Sequence, residues 1–459
     1  MRIGISFILL TDLFIRSLSI KAFFTDEGIL PLSVLKNFNW NPYYFSFHAM
    51  QGELWWEVLL FCLNALCIML LLIGYRARLF TFICWVFLVS MQNRNPFILQ
   101  GGDELLRIIL FWGVFLPWGE RYSVQKTSTY PNAYFSLANI GYIFLIGSVY
   151  FFSALLKTSS EWQSDGTALY FALSLDQMRL PFGTFLYQFP NLLTFLTHAV
   201  YYIELLAPLL LALPFIPSKV RVIGIISIAI LHIGFFLSLY VGLFYIIGIV
   251  SLIGLLPSNY IDWFEHKFYK NKVQLIKIDS NQQRSSVILD ILFTLKTWFV
   301  VFVISYCLML NLGNVKTFPY VMESYLAKYG TILRLEQNWG MFAPTILKED
   351  GWFVYSGYTA DGKFIDIKHQ IDTVSYLKPK HAVTEYESDR WRKYGENYVF
   401  NNNNHIRPFY CKYLINKWNK EHPNKHIIDL SIFFMKEVSL PNYGTKPIEK
   451  LALCNCQDK

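Results

Sequence analysis

The chain has 459 residues, 54% of them hydrophobic and 18% aromatic, with only 16% charged. That is less charge than a water-soluble domain of this length carries, so lipid is the expected solvent for most of it. The net charge of +8 comes without a basic helix or nucleic-acid motif; this excludes nucleic acid as a partner and assigns the positive charge to a membrane surface.

At the roughly 20-residue scale of a bilayer core, about nine apolar stretches follow one another: 3–22, 54–74, 79–98, 104–118, 133–157, 190–215, 219–238, 240–256 and 287–311. The first is not a cleavable signal, because Asp12 and Arg16 interrupt it and no small-residue cleavage site precedes FFTDEGILP. The run from Val220 to Pro257 is too long for one crossing and is divided near Ser238 to Gly242. Loops rich in Lys and Arg stay cytoplasmic. With nine spans, Arg2, Arg76, Arg78, Arg121, Lys126, Lys219, Arg221, Lys267, Lys270, Lys272, Lys277 and Arg284 share one side, while Lys21, Lys36, Arg94 and Arg179 feed the other. The expected arrangement is a multi-span domain at 1–256, a basic cytoplasmic linker at 257–286, a final transmembrane helix at 287–312 and an outer domain at 317–459. The amino terminus is then cytoplasmic, and the last domain lies on the outer face of the cell (inner) membrane, in the periplasm or outside the cell.

The outer segment reads as a small α+β domain. GWFVYSGYTADGKFIDIKH alternates apolar and polar residues around Asp361-Gly362, a hairpin signal. SDRWRKYGENYVF and YLINKWNKEHP read as helices, and IIDLSIFFMKEV as a strand. Cys62, Cys67, Cys84 and Cys307 lie in spans as small apolar residues, whereas Cys411, Cys454 and Cys456 lie outside. An oxidising compartment allows one bridge there, from Cys411 to either Cys454 or Cys456.

Charges inside apolar sequence must be satisfied or functional, since one at the bilayer centre costs about 2.5–3.5 kcal/mol on the insertion scale. Asp12 with Arg16, and Asp103 with Arg107, are i,i+4 pairs on one helix face, which predicts pairing. Glu204 and His198 lie about 120° apart around a helix and so form no two-ligand metal site; Glu204 is expected to bond another helix. His232 stands alone on its span, as a satisfied buried histidine or a proton carrier. No metal spacing, phosphate loop or GxSxG motif occurs. Lys157 ends the apolar run of SVYFFSALLKTSSEW, either reaching to the headgroups or acting as a base in apolar surroundings.

LLTDLFIRSLSIKAFFTDEGILP, LLIGYRARLF, GGDELLRIILFWGVFLPWGERYSV, YFFSALLKTSSEW, IELLAPLLL and LHIGFFLSLYVGLF, in that order across residues 1–256, resemble the horizontally transferred transmembrane domain (HTTM) family, which includes the vitamin K-dependent gamma-carboxylases. LEQNWGMFAP and the outer-domain segments after it resemble bacterial members. The resemblance implies that Lys157 stands where the carboxylases carry the second of two adjacent lysines, the base toward a reduced quinone, with Leu156 at the first. Glutamate carboxylation of a polypeptide would follow. The helping histidine of the carboxylases falls at or near Gly102, and the outer domain is smaller than theirs. Other bacterial members, as in the sporulation-delaying system, are associated with maturing secreted toxin peptides.

The expectation is therefore a mainly α, polytopic helical membrane domain of about nine spans plus a small α+β extramembrane domain. Its partners would be the bilayer and an exported polypeptide, its cofactor a reduced quinone and no metal. Lys157, His232 and Glu204 are the catalytic candidates, and Asp103 and Arg107 organise the pocket. Trp339 and Phe342 of NWGMFAP are read as apolar anchors between the domains. The alternative is a non-catalytic maturation factor or chaperone for a secreted peptide.

Overall fold

A computed structural model describes residues 1–125, 136–213, 216–268 and 287–458. In chain order its principal helices are α1 (Arg2–Ser17), α2 (Leu54–Ile73), α3 (Ala77–Arg94), α4 (Gly101–Gly113), α5 (Leu137–Leu156), α6 (Pro190–Ala212), α7 (Ser218–Ser238), α8 (Phe244–Leu252) and α9 (Val287–Asn314). Two further helices, α10 (Asp389–Val399) and α11 (Arg407–Glu421), accompany four strands: β1 (Glu349–Thr359), β2 (Phe364–Asp366), β3 (Ile427–Val438) and β4 (Glu449–Gln457).

The chain is mainly helical, with several helices fit for a bilayer, and length and composition single out fewer than the nine expected stretches. Among the described residues five helices are long and apolar enough to cross: α2, α5, α6, α7 and Thr294–Asn314 of α9. A sixth results if Phe244–Leu255 and Ser258–Phe264, bent by 102°, form one broken span. The other stretches differ for a physical reason. Helix α1 carries Asp12 and Arg16, α3 ends in buried Gln92, Asn93 and Arg94, and α4 has only 13 residues and opens on Asp103 and Glu104. These polar residues are buried or half-buried and each bonds inside the protein, though Arg16 Nη1, Asn93 Oδ1 and Arg94 Nε and Nη2 keep no partner among the described residues, so their helices are lined for other helices more than for lipid. The division of the long apolar run holds, since α7 ends at Ser238 and α8 begins at Phe244. Lys126 and most of the basic linker, 269–286, lie outside the described residues.

Helix α5 is the hub of the bundle, packing against α4, α6 and α9, while α6 leans on α7, α7 on α8 and α1 on α2. One end gathers the amino terminus with the loops after α2 and α4: Arg2 donates to the Trp118 carbonyl at 3.1 Å, and Val124 N donates to the Ile73 carbonyl at 3.0 Å. The opposite end carries residues 24–50, 94–103 and 157–180 and meets the sheet-bearing segment. There Asn397 Nδ2 donates to the Phe97 carbonyl at 2.8 Å, Tyr170 donates to the Leu440 carbonyl at 2.6 Å, and Trp391 Nε1 donates to Ser19 Oγ at 3.0 Å.

The sheet is antiparallel in the order β2-β1-β3-β4. Alternation along β1 sends Phe353 and Tyr355 toward the helices and Trp352 and Val354 to the other face, where Met435 joins them. Gly362, at φ +82°, makes the β1–β2 turn that a side chain would strain. The strand and both helices read from the sequence are present; β4, which carries Cys454 and Cys456, was not foreseen. Cys411 is bonded to Cys456, and Cys454 is free. The bridge ties α11 to β4 across a sequence separation of 45, so removing it should cost about 3–4 kcal/mol by loop closure. Thermal unfolding of Cys411→Ser in detergent is expected to show the sheet-bearing domain melting earlier, as reductant makes the wild type do. An unchanged midpoint would contradict this.

Candidate functional site

Tyr150, Ser153 and Lys157 lie at i, i+3 and i+7 of the α5 stripe that faces α6 and α7. Lys157 is the first residue past the helix, at φ −80° and ψ 72°, and its side chain turns back along the bundle instead of outward. Its Nζ donates to Ser153 Oγ at 2.7 Å and to the Glu204 carboxylate, and it lies 4.8 Å over the Trp162 ring. Lys157 is 2% exposed. A lysine reaching for headgroups would leave its head in water; this one is enclosed. Both charges are taken from solvent, which is tolerated because each neutralises the other and the hydroxyl satisfies a further proton.

Glu204 comes from α6, where the fold opens the backbone beside it. Pro208 has no N–H, so the Glu204 carbonyl loses its i+4 helical donor. As expected, Glu204 bonds another helix; the partner is Lys157. His198 does not join the pair.

His232 is fully buried on α7, and its Nε2 lies 2.6 Å from the Tyr150 hydroxyl. Its Nδ1 has no partner among the described residues. The ring packs against Phe235 and Phe244, with centroids at 6.1 and 5.3 Å, and over Gly248, where a Cβ would collide with the imidazole. Gly102 packs on the Phe244 backbone, with room for a Cβ only 3.3 Å away. No side chain projects there; the histidine of this neighbourhood is His232, across Phe244.

Asp103 and Arg107 make no ion pair with each other, contrary to the i,i+4 expectation. Asp103 is the N3 residue of α4, its Oδ2 accepting from Gln100 N at 2.9 Å in a capping box, and this draws the carboxylate toward the helix start. There it meets Arg16 at 2.5 Å and Arg390 from α10. Arg16 also bonds Asp12 at 2.8 Å, as expected, and Arg390 bonds Asp12 at 2.6 Å and the Ile98 carbonyl at 2.9 Å. Two carboxylates and two guanidiniums thus neutralise one another, all four side chains buried. Arg107 instead donates to the carbonyls of Arg334 and Glu336 at 2.9 and 2.6 Å and to Gln92 Oε1 at 2.9 Å.

The segment held by Arg107 leads into NWGMFAP, which lies over the end of α5. Trp339 is wholly buried and its Nε1 donates to Gln337 Oε1 at 2.9 Å; Asn338 N donates to Glu104 at 2.7 Å. Phe342 packs on the cluster around Trp162 and Phe171, and its carbonyl accepts from Trp162 Nε1 at 2.8 Å. Lys348 bonds Glu161 at 2.5 Å. Trp162 therefore has one face over the Lys157 amine and its edge tied to the NWGMFAP segment.

Sequence reasoning missed Tyr150, Trp162 and Arg390. Ser153 was missed as well, although its i−4 spacing from Lys157 is a signal that could have found it; the others depend on contacts between distant segments. It also missed a second buried pair, His48 Nδ1 to Glu57 Oε2 at 2.6 Å. Beside it lies Arg94, which donates to the Leu30 carbonyl at 2.8 Å. Among the described residues no group of three His, Cys, Asp or Glu side chains could hold a metal ion. Compared with known proteins, the chain matches no family model, no curated protein and no solved structure.

Proposed function

We propose that this is a multi-pass inner-membrane protein that carries out a quinol-linked modification, glutamate carboxylation by resemblance, on an exported polypeptide. The observation that carries the reading is the buried Lys157–Glu204 pair, with Ser153 below the amine and Trp162 above it. When the pair's proton sits on Glu204, Lys157 is a neutral amine that can accept one, and Glu204 can then release its own, which restores the ammonium–carboxylate pair. Tyr150 and His232 extend the polar stripe about 10 Å along α5, the length of seven residues. This gives an acquired proton a phenol and an imidazole to move toward.

The donor set suits a quinol hydroxyl: an amine paired with one carboxylate, and a phenol–imidazole pair whose outer nitrogen is unpartnered, all among apolar side chains. Lys157 would face such a hydroxyl, Glu204 would hold the amine in place, and Trp162 would keep water from it. A reduced quinone, when bound, would supply with oxygen a base strong enough to take a carbon-bound proton. The alternative, a non-catalytic maturation factor or chaperone for a secreted peptide, would need the outer domain and its docking but not the Lys157 amine.

The fuller topology belongs to the same proposal: α1, α3, α4 and α8 would cross within the bundle, shielded from lipid, for nine spans in all. Its support is that the basic amino terminus and the loops after α2 and α4 share one end, while the disulfide-bonded domain meets the other. Cysteine labelling should place residue 270 in the cytoplasm and residue 420 outside. The same side for both would remove the final span and the periplasmic substrate with it. In membrane vesicles, modification of a glutamate-containing peptide should require both a reduced naphthoquinone and bicarbonate. Maturation that needs neither would favour the chaperone.

A further inference from the structure

Between β1, α10 and α11 the outer domain encloses a cavity of about 300 Å³, within the range of small-ligand sites. Two helical stripes face each other across it. Trp391, Tyr394 and Tyr398 come from α10 at i, i+3 and i+7; Tyr410, Tyr413 and Glu421 come from α11 at i, i+3 and i+11. The rings meet at steep angles: 89° for Trp391 on Tyr394 and 73° for Tyr394 on Tyr410, at 6.0 and 5.2 Å. Gly395 keeps the space open, because a Cβ there would stand 3.1 Å from the Phe353 ring and 3.2 Å from that of Tyr386.

The mouth is acidic. Glu387 and Glu421 are exposed, line the cavity and make no ion pair among the described residues. Glu385 is already engaged by Lys368 at 2.8 Å, whose ammonium lies 5.7 Å from the Tyr355 and Tyr386 rings, so two lysines, Lys368 and Lys417, line the cavity beside three glutamates. Both carboxylates act on the wall, for the Tyr413 hydroxyl is pushed up to about 12 by burial first and then by Glu387 and Glu421. Aromatic faces and free carboxylates around one cavity suit an alkylammonium or guanidinium group. An anion would meet two like charges, and a purely apolar group would leave them unused.

We propose that this cavity receives a lysine or arginine side chain of the exported polypeptide, its aliphatic stem against the rings and its head at Glu387 and Glu421. That the ligand is a polypeptide rests on the function proposed above. The cavity also adjoins the membrane domain, since Trp391 packs on Phe23 at 4.6 Å and follows Arg390 of the buried ionic cluster.

The test is binding of capped tripeptides to the full chain in detergent, read by calorimetry and by tryptophan fluorescence. Gly-Lys-Gly should bind roughly tenfold more tightly than Gly-norleucine-Gly or Gly-Glu-Gly, and more tightly than butylamine. The double variant Glu387→Gln/Glu421→Gln, which changes only exposed groups, should lose about five- to tenfold in affinity for Gly-Lys-Gly at an unchanged melting temperature. Equal binding of the norleucine peptide, indifference to the double variant, or butylamine binding as well as the peptide would each overturn the proposal. Lys157→Arg should bind Gly-Lys-Gly like the wild type. Retained binding without quinol-dependent chemistry would thus remove the proposed function alone, and lost selectivity would remove this inference alone.

Discussion

Replacing Arg390 by methionine is expected to loosen the sheet-bearing domain from the helical bundle. Arg390 reaches from α10 to Asp12 and Asp103, which also share Arg16. The four groups are neutral together and buried, so methionine fills the volume but leaves one buried negative charge uncompensated. Breaking a buried ion pair by removing one partner costs about 3–5 kcal/mol. The expected results are a lower melting temperature in detergent and faster amide exchange in α10. Trp391, next in sequence, should lose its bond to Ser19. Adding Asp12→Asn restores neutrality and should recover a substantial part of the loss. If Arg390→Met melts like the wild type, the ionic cluster does not hold the domains together.

Changing Lys157 to arginine should abolish the chemistry with little change in the amount of folded protein. Arginine keeps the positive charge opposite Glu204, but a guanidinium with a pKa above about 12 cannot become a neutral base near pH 7. A lost acid–base group lowers rates by about 10²–10⁴-fold. Lys157→Ala is a less clean test, because it also strands the Glu204 carboxylate in a buried site. The double variant Lys157→Met/Glu204→Gln separates the effects: it is neutral and should fold, yet should be inactive. A lysine needed only for pairing predicts that arginine serves as well.

The apolar spans were legible because a 20-residue hydrophobic run has few alternatives, and α2, α5, α6 and α7 begin and end close to where composition changes. At α1, α3 and α4 runs of similar hydrophobicity hold buried charges whose partners lie largely on distant segments, so length and composition do not mark these helices as crossings. Asp103 shows why pairing was misread: helix spacing puts Arg107 within reach, but the capping role at Gln100 and an arginine 287 residues away decide where the carboxylate goes. Glu204 was expected to bond another helix and does. That its partner is Lys157 required α5 and α6 to pack side by side, which periodicity cannot state. Tyr150 looked like one more aromatic residue in an apolar run, and its link to His232 depends on the close approach of α8 at Gly248.

The proposed function requires Lys157 to be a working base, and carbon incorporation tests that most directly. Cells producing the chain together with an exported, glutamate-rich polypeptide are given radiolabelled bicarbonate and a reduced naphthoquinone, and the secreted polypeptide is recovered and counted. Label is expected in the polypeptide with the wild type, dependent on the quinol, and none above background with Lys157→Arg at equal membrane abundance. Full labelling with Lys157→Arg, or an unlabelled polypeptide that matures normally with the wild type, would contradict the proposed function.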